Sequence, residues 1–269
     1  WSLSCSFQRD IRQWVRGRIE AKILEIAYKQ ERYSSRTKQA TMDRDSSDLE
    51  KLRVQLTRLD EVKRFDYGIA SDYGQGVLGH EDIITMAPDM ILSNRLLATV
   101  VARKYPYIFV DESQDTFPNV VEALKFVSVT AGGSVCLGFF GDPMQQIYQR
   151  SAGQIVPEHG WATIAKPENF RSSNRVLDVI NHVRANGDGL TQVPGRSLDK
   201  QVEGESFFFI LPADDRRTER LEEVRFWLDR HSALTGWSDD SAERAGGAKI
   251  LMIVHRMAAK RLGFGCLFS

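Results

Sequence analysis

Apolar and polar positions in the first hundred residues follow helical spacing. Apolar residues recur every three or four positions over residues 11–27, which predicts an amphipathic helix. Polar residues dominate residues 29–60, with leucines at a sparse helical interval. This second pattern favours an exposed helix, preceded by a loop around residues 34–35 and 46–47. Helical spacing returns over residues 81–103, with a break expected near Pro88.

Two short, continuous apolar runs change the pattern in the middle of the chain. Residues 107–110 are followed directly by two acidic residues, and residues 135–140 are followed directly by Gly-Asp, with helical spacing between the two runs over residues 120–129. Continuous apolar runs of this length are typical of buried parallel strands. A strand, a helix and a second strand, with polar residues at both strand ends, predict part of a doubly wound α/β sheet.

The last third of the chain predicts a second α/β unit. A helix is expected over residues 174–185, followed by a Gly/Pro-rich connection over residues 187–195. A strand at residues 207–211, a helix at residues 218–232 and a strand at residues 250–254 then follow.

Composition adds few restrictions. The chain is 42% hydrophobic and 27% charged, with 36 basic and 36 acidic residues, so its formal net charge is zero. Any nucleic-acid site must therefore be a local groove. The three cysteines, Cys5, Cys136 and Cys266, are far apart and lack metal-ligand spacing, which favours reduced thiols in a cytoplasmic protein. No apolar run reaches the roughly 18 residues that span a bilayer, so we expect no membrane contact. Basic residues on the first predicted helix can meet phosphates, although a solvated helix face explains them more simply: Arg9, Arg12, Arg16, Arg18 and Lys22.

The most informative motif follows the first predicted strand. Residues 110–115 read Val-Asp-Glu-Ser-Gln-Asp, so two acids stand directly at a strand end. One carboxylate there can hold Mg²⁺ and the next can orient an attacking water. Acidic pairs are also common in surface turns, but the preceding strand favours the functional interpretation. This motif resembles motif II of the UvrD/Rep-like superfamily 1 DNA helicases, and the resemblance implies that Asp111 is the metal ligand and Glu112 the catalytic base.

The second predicted strand ends in another family motif. Residues 141–148 read Gly-Asp-Pro-Met-Gln-Gln-Ile-Tyr and resemble motif III of the same helicases at each defined position. The resemblance implies that Gln145 donates to the γ-phosphate and that the motif couples the ATP state to the DNA groove. A Gly-Asp turn followed by packing residues is the weaker alternative.

A third motif follows in the family order. Residues 169–172 read Asn-Phe-Arg-Ser and resemble motif IV. The resemblance implies that Phe170 stacks near the adenine and that Arg171 places its guanidinium on the γ-phosphate, where a planar fork stabilises spreading charge. Outside this order, an arginine near a helix start is more often an ion-pair or capping residue.

Two departures from the family pattern affect the interpretation. No Gly-Lys pair occurs in the chain, so the phosphate-binding loop is missing and we expect an internal piece that cannot hydrolyse ATP alone. The position where many relatives carry a DNA-stacking tryptophan holds Arg150, which can stack or meet phosphate. Tyr148 and Arg150 are therefore weaker DNA-contact candidates than the ATP-site residues.

The resemblance implies a partial RecA-like parallel-sheet motor domain with a helical insertion and the start of a second such domain. We expect the insertion at residues 1–100, the first motor domain at residues 101–188 and the second at residues 189–269. The implied function is an ATP- and Mg²⁺-dependent, 3′-to-5′ helicase or translocase acting on single- and double-stranded DNA in repair, recombination or defence. The alternative is a non-catalytic DNA- or protein-binding module. A sheet lacking the phosphate-loop strand would expose apolar surface, so self-association is also expected.

Overall fold

The computed structural model describes residues 7–212, 214, 216–234, 236–238, 248, 249, 251, 259, 263 and 266. Seven α-helices lie within these residues: α1 Gln8–Glu31, α2 Gln39–Arg58, α3 His80–Ser93, α4 Arg95–Lys104, α5 Pro118–Thr130, α6 Asn174–Ala185 and α7 Arg217–His231. Six short strands accompany them: β1 Asp66–Tyr67, β2 Val77–Leu78, β3 Tyr107–Val110, β4 Cys136–Phe139, β5 Glu168–Asn169 and β6 Val193–Pro194. The strands form three parallel pairs, β1 with β2, β3 with β4 and β5 with β6. This content confirms the α/β class, whereas the RecA-like arrangement stays a prediction.

The chain divides into two compact units, Trp1–Ala162 and Thr163–Ser269. The predicted division into an insertion and two motor domains stays a prediction. Within the described residues, no helix is both long enough and apolar enough to span a membrane.

Helix α1 supplies one side of the larger core of the first unit. Ile11, Val15 and Ile19 are at most 1% exposed and share a cluster with Leu59 and Phe65. Burying each such side chain contributes about 1.5–3 kcal/mol relative to leaving it in water. The predicted apolar stripe is confirmed, because its residues form the buried face of this helix.

Two of the basic residues on α1 contact the protein itself. Arg12 donates to the carbonyl of Val62, and Arg16 pairs with Asp60 at 2.6 Å. These contacts account for both side chains without a phosphate partner.

Helix α2 continues through residues 46–47, so the loop predicted there is wrong. Asp45, directly before the two serines, is only 6% exposed and accepts hydrogen bonds from Lys29 Nζ at 3.0 Å and Tyr33 Oη at 2.5 Å. The hydrogen bonds from Lys29 and Tyr33 lower the pKa of Asp45, and desolvation, followed by the bond to Asp45, raises the pKa of Tyr33 to about 12. This anchoring to the end of α1 outweighs the weak helix propensity of serine.

The helical region after residue 80 breaks at Asn94, and the break predicted at Pro88 is wrong. Pro88 lies buried inside α3, which continues to Ser93. Asn94 adopts an extended conformation (φ −130°, ψ 98°), and its side chain accepts from the N–H of Leu97 at 3.2 Å. Asparagine favours such a cap because its carbonyl satisfies a backbone donor that the helix leaves unpaired. At the other end of α3, Asp82 accepts from the N–H of Gly79 at 3.1 Å.

Strands β3 and β4 pair in parallel, as predicted, with Val110 opposite Phe139 at their carboxyl ends. Helix α5 connects them, and its Val127 lies in a small core with residues of α4. The other face of the pair is open, because Tyr107 and Phe109 are 72% and 63% exposed. The prediction that β3 is a buried strand is therefore wrong for this face within the described residues.

The second unit contains the predicted helices at α6 and α7, but the strand predicted at residues 207–211 is wrong. That segment has no hydrogen-bonded strand partner among the described residues. Phe207 and Phe209 instead meet Trp227 of α7 edge-on, with ring centroids 5.7 and 5.4 Å apart. The alternation of a strand is present without a backbone ladder. Most of the strand predicted at residues 250–254 lies outside the described residues.

Candidate active site

The two acidic residues of interest lie where β3 ends. The Oδ1 atom of Asp111 accepts from the N–H of Glu112 at 2.9 Å, and both residues are exposed. Glu112 has φ 47° and ψ 42°, and it is the one non-glycine residue with positive φ in the described part of the chain. Such a conformation costs on the order of 1–2 kcal/mol for an L-residue, so surrounding contacts must hold it.

The ends of β3 and β4 are joined beyond their ladder. The N–H of Phe140 donates to the carbonyl of Val110 at 2.8 Å, and the N–H of Ser113 donates to the carbonyl of Phe140 at 2.9 Å. Gly141 follows at a very close approach, since a Cβ there would lie 2.3 Å from Gln114 Oε1 and 3.0 Å from Ser113 N. The glycine is needed because no side chain fits between the two strand ends.

Gln114 connects the two strand ends through its side chain. It is 2% exposed; its Nε2 donates to Glu112 Oε2 at 2.7 Å, and its Oε1 accepts from the N–H of Asp142 at 3.2 Å. Sequence reasoning recorded this glutamine as part of the motif but assigned it no role. The available signal is an amide two residues after Glu112, close enough in the chain to donate to its carboxylate.

Asp115 and its neighbours bind the segment that follows β4. Asp115 Oδ1 accepts from the N–H groups of Ile147 and Tyr148 at 3.0 and 3.4 Å. The carbonyl of Gln114 accepts from the N–H of Gly153 at 2.9 Å, and the carbonyl of Thr116 accepts from Ala152 at 2.8 Å. The segment is thus attached at several points to the short 3₁₀ helix Ser113–Asp115.

Gln145 lies in this segment and is exposed. Its Nε2 donates to Asp142 Oδ2 at 2.9 Å, while Asp142 Oδ1 accepts from the N–H of Met144 at 3.1 Å. An amide nitrogen carries two hydrogens, so Gln145 keeps a second donor for another acceptor.

Tyr148 and Arg150, the predicted DNA contacts, are both exposed, with Tyr148 at 62%. The carbonyl of Tyr148 accepts from Gln146 Nε2 at 3.1 Å and from the N–H of Ser151 at 3.0 Å. The backbone at this turn is therefore held while the phenol ring is open to solvent.

In the second unit, Asn169 organises the third motif. Its Oδ1 accepts from the N–H groups of Arg171 and Ser172 at 2.9 and 2.8 Å. Its Nδ2 donates to Gln192 Oε1 at 2.8 Å, and the backbone of Gln192 is held in turn by both ends of the Asn181 amide at 2.7 and 2.9 Å. This chain of amides attaches the motif to helix α6.

Phe170 rests on backbone with one face of its ring. A Cβ at Gly195 would lie 2.8 Å from three carbons of that ring, and Arg196 Nε donates to the carbonyl of Phe170 at 2.7 Å. The ring is 59% exposed, so its remaining surface is available for stacking. Sequence reasoning missed Gly195, which the composition presents only as part of a Gly/Pro-rich connection.

Arg171 is exposed, and its guanidinium makes no hydrogen bond or ion pair with a described residue. By contrast, Arg175 on the next helix pairs with Glu203 at 3.0 Å. The first unit thus brings Asp111, Glu112, Gln145 and Tyr148 into one connected region, and the second unit places Phe170 and Arg171 side by side.

The donor set at the end of β3 fits Mg²⁺ bound mainly through water and phosphate. Asp111 offers a hard, exposed carboxylate whose Oδ2 makes no hydrogen bond with a described residue. The described residues contain no group of three His, Cys, Asp or Glu that could hold a metal ion. Mg²⁺ in nucleotide sites is bound by one or two carboxylates together with substrate phosphates, so a cage of three is not required.

Comparison with known proteins places this arrangement in a family context. Residues 7–155, more than half of the chain, match the UvrD/REP helicase N-terminal domain. The chain is also 32% identical over 137 residues to the Gabija protein GajB of Bacillus cereus (strain HuB5-5). That alignment covers 49% of this chain and 19% of the relative, so the chain spans about a fifth of the relative's length. The family match includes the residues near β3 and β4 and ends before Phe170.

Proposed function

Because this chain belongs to the UvrD/REP helicase family, we propose that it supplies the water-activating part of an ATPase that drives 3′-to-5′ movement along DNA. The observation that carries the proposal is the arrangement of Glu112 at the end of β3. One oxygen of its carboxylate is held by Gln114, and the other makes no hydrogen bond with a described residue. A base prepared in this way can accept a proton from a water molecule placed beside it.

The remaining roles rest on the motif resemblance and on the chemistry of each side chain. Asp111 would hold Mg²⁺, which neutralises phosphate charge when bound. Glu112 takes the proton of the attacking water on its unbonded oxygen. Gln145 donates its second amide hydrogen to the γ-phosphate, and Arg171 stabilises the charge that spreads over that phosphate in the transition state.

Phe170 and Tyr148 present aromatic surface for bases. The Phe170 ring, supported from one side by Gly195, offers a stacking face to the adenine. Tyr148 offers exposed ring surface to a base of single-stranded DNA, and Arg150 stands two residues away for phosphate. Double-stranded DNA ahead of the enzyme is the proposed substrate for unwinding, in repair, recombination or defence.

Mg²⁺-ATP hydrolysis tests this proposal. We expect no turnover by the 269-residue chain alone, because its sequence contains no Gly-Lys-Ser/Thr. The protein encoded by the complete reading frame should hydrolyse ATP and be stimulated by single-stranded DNA. Glu112→Gln in that protein should lower turnover by about 10²–10⁴-fold, the usual contribution of a general base.

The control is built into the substitution. A glutamine at position 112 can still accept from Gln114 through its carbonyl oxygen, so folding and nucleotide affinity should stay close to wild type. Full turnover by Glu112→Gln would show that another group activates water. Absence of ATP turnover in the complete wild-type protein, with DNA binding retained, would favour a non-catalytic binding module.

A further inference from the structure

The side chain of Gln114 has a defined orientation. Its environment is almost dry, with 2% of the residue exposed. The backbone N–H of Asp142 can only donate, so the amide atom facing it at 3.2 Å must be the oxygen. The amide nitrogen therefore faces the carboxylate of Glu112, 2.7 Å away, and the two bonds fix the amide from opposite ends.

We propose that Gln114 is a positioning residue that couples the carboxylate of Glu112 to residues 141–153, so that DNA bound at this segment adjusts the base. The inference rests on the proposed function and adds a physical connection to it. Gln114 touches no reacting atom itself. It acts through Glu112 at one end and through the backbone after β4 at the other.

Several hydrogen bonds connect residues 141–153 to the 3₁₀ helix that contains Gln114. Asp115 holds the backbone of Ile147 and Tyr148, and the carbonyl of Gln114 holds the N–H of Gly153. A displacement of this segment therefore acts on the 3₁₀ helix from several points. The amide of Gln114 is rigid and planar, so a shift of the Asp142 backbone turns it and moves the nitrogen that bonds Glu112.

Small displacements at this point have large consequences for rate. A hydrogen bond to an ionised carboxylate is stronger than a neutral one, and this one is partly buried on the Gln114 side. Glu112 already has an unfavourable backbone conformation, so its carboxylate depends on such contacts for its position. Misplacing a reacting group by about 1 Å can cost on the order of 100-fold in rate.

The decisive variant is Gln114→Glu, which removes the hydrogen bond to Glu112 and keeps the hydrogen bond from Asp142. A glutamate carboxylate can still accept from the N–H of Asp142, but it replaces the donor toward Glu112 by a second negative charge. In the protein encoded by the complete reading frame, we expect DNA-stimulated kcat to fall about 100-fold. The KM for ATP should change by less than about threefold, since the interaction acts on the base and not on nucleotide binding.

Asp115→Asn tests the segment from the other side and keeps the proposal testable if Gln114→Glu is unstable. It keeps the 2.7 Å bond from Gln114 to Glu112, changes only the long 3.5 Å contact of Gln114 Nε2 with Asp115 Oδ2, and weakens the hold on Ile147 and Tyr148. We expect the ratio of DNA-stimulated to basal turnover to fall more than basal turnover itself. Gln39→Glu makes the same charge change as Gln114→Glu on the exposed first residue of α2 and should leave both rates unchanged.

A measurement on the 269-residue chain reports the contact without any turnover. Gln114→Met removes the side-chain hydrogen bonds to both Glu112 and Asp142. The amide of Asp142 loses one ordinary hydrogen bond and should therefore exchange its hydrogen about fivefold faster. The amide of Gly153 is bound by the backbone carbonyl of residue 114 and serves as the internal reference. In Gln114→Glu, the Asp142 amide should keep its protection.

The outcomes separate the two proposals. If the wild-type protein shows no DNA-stimulated turnover, the proposed function is wrong whatever the exchange rates are. If wild type is stimulated and Gln114→Glu keeps its kcat and stimulation ratio, the coupling role is wrong while the proposed function stands. A lowered melting temperature together with an unchanged stimulation ratio in Asp115→Asn would assign these residues a structural role alone.

Discussion

In the first unit the side chain that we propose as the base, Glu112, is itself held by a hydrogen bond, whereas in the second unit the backbone is held and the proposed phosphate-binding side chain, Arg171, is exposed. One carboxylate oxygen of Glu112 accepts a hydrogen bond from Gln114, which also binds Asp142 and so joins the ends of β3 and β4. Arg171 has its N–H fixed by Asn169, yet its guanidinium meets no described residue. A base must be aimed before water arrives, while an arginine that meets a phosphate can find its partner when the nucleotide binds.

The largest effect is expected from removing the exposed side chain of Arg171, which should lower activity without changing the folded structure. Arg171→Ala should lower kcat by about 10²–10³-fold, the cost of removing one transition-state donor. The melting temperature should not change, because the guanidinium stabilises no described contact. Steady-state ATPase and thermal unfolding of the protein from the complete reading frame check this. Arg175→Ala, which removes the pair with Glu203, is the matched control and should keep its activity.

The next largest effect is expected at Gly141, where the ends of β3 and β4 approach closely. A substitution there should lower stability as well as activity. Gly141→Ala places a methyl group 2.3 Å from Gln114 Oε1 and 3.0 Å from the backbone nitrogen of Ser113. Overpacking of this kind costs about 1–3 kcal/mol. Urea unfolding of the chain measures it. Gly17→Ala in α1, where an added Cβ meets nothing within 4 Å, should be neutral or stabilising. Equal stabilities of the two variants would contradict the close approach.

A smaller effect is expected in the second unit, where Gly195 lies against the ring of Phe170. Gly195→Ala should displace the Phe170 ring, because three ring carbons lie 2.8 Å from the added Cβ. We expect about a three- to tenfold loss of ADP affinity, since base stacking on an aromatic ring is worth roughly 1–3 kcal/mol. Affinity for inorganic tripolyphosphate, which has no base, should not change. In a Phe170→Ala background the glycine substitution should have no further effect on ADP binding, and additive losses would exclude the ring as its route.

The smallest effect concerns Asp45 in α2, away from the three motifs, and the loss of folding stability at low pH. Hydrogen bonds from Lys29 and Tyr33 lower the pKa of Asp45 in the folded chain. The ionised carboxylate therefore stabilises the fold above the pKa of aspartate in the unfolded chain, and this contribution disappears as the pH falls through the lowered value.

Asp45→Asn should accordingly reduce the difference in unfolding free energy between pH 7 and about pH 3, which lies below the ordinary aspartate pKa. Urea unfolding at both pH values measures it. Asp48→Asn, on the same helix but half exposed, should leave the difference unchanged. A pH dependence that is identical in both variants would contradict the role of Asp45.

Much of the architecture could be predicted from the sequence, because short-range patterns carry it. The stripe of α1, the parallel order of β3 and β4, and the bounds of α6 follow from periodicity and from apolar runs between turns. The break at Pro88 and the loop at residues 46–47 were wrong for one reason. Local propensity proposed them, but a buried proline and a buried Asp45 bound to α1 decided otherwise.

The sequence by itself determined the α/β class, the family and the residues that stand at the two strand ends. It did so because reactive residue types follow strands at fixed intervals, and this order can be read along one dimension. Only the tertiary structure decided that Gln114 joins Glu112 to Asp142 and that Gly195 supports Phe170. The contact of Gln114 with Asp142 joins residues 28 positions apart, and that of Gly195 with Phe170 joins residues 25 positions apart, so both depend on the packing that brings the segments together.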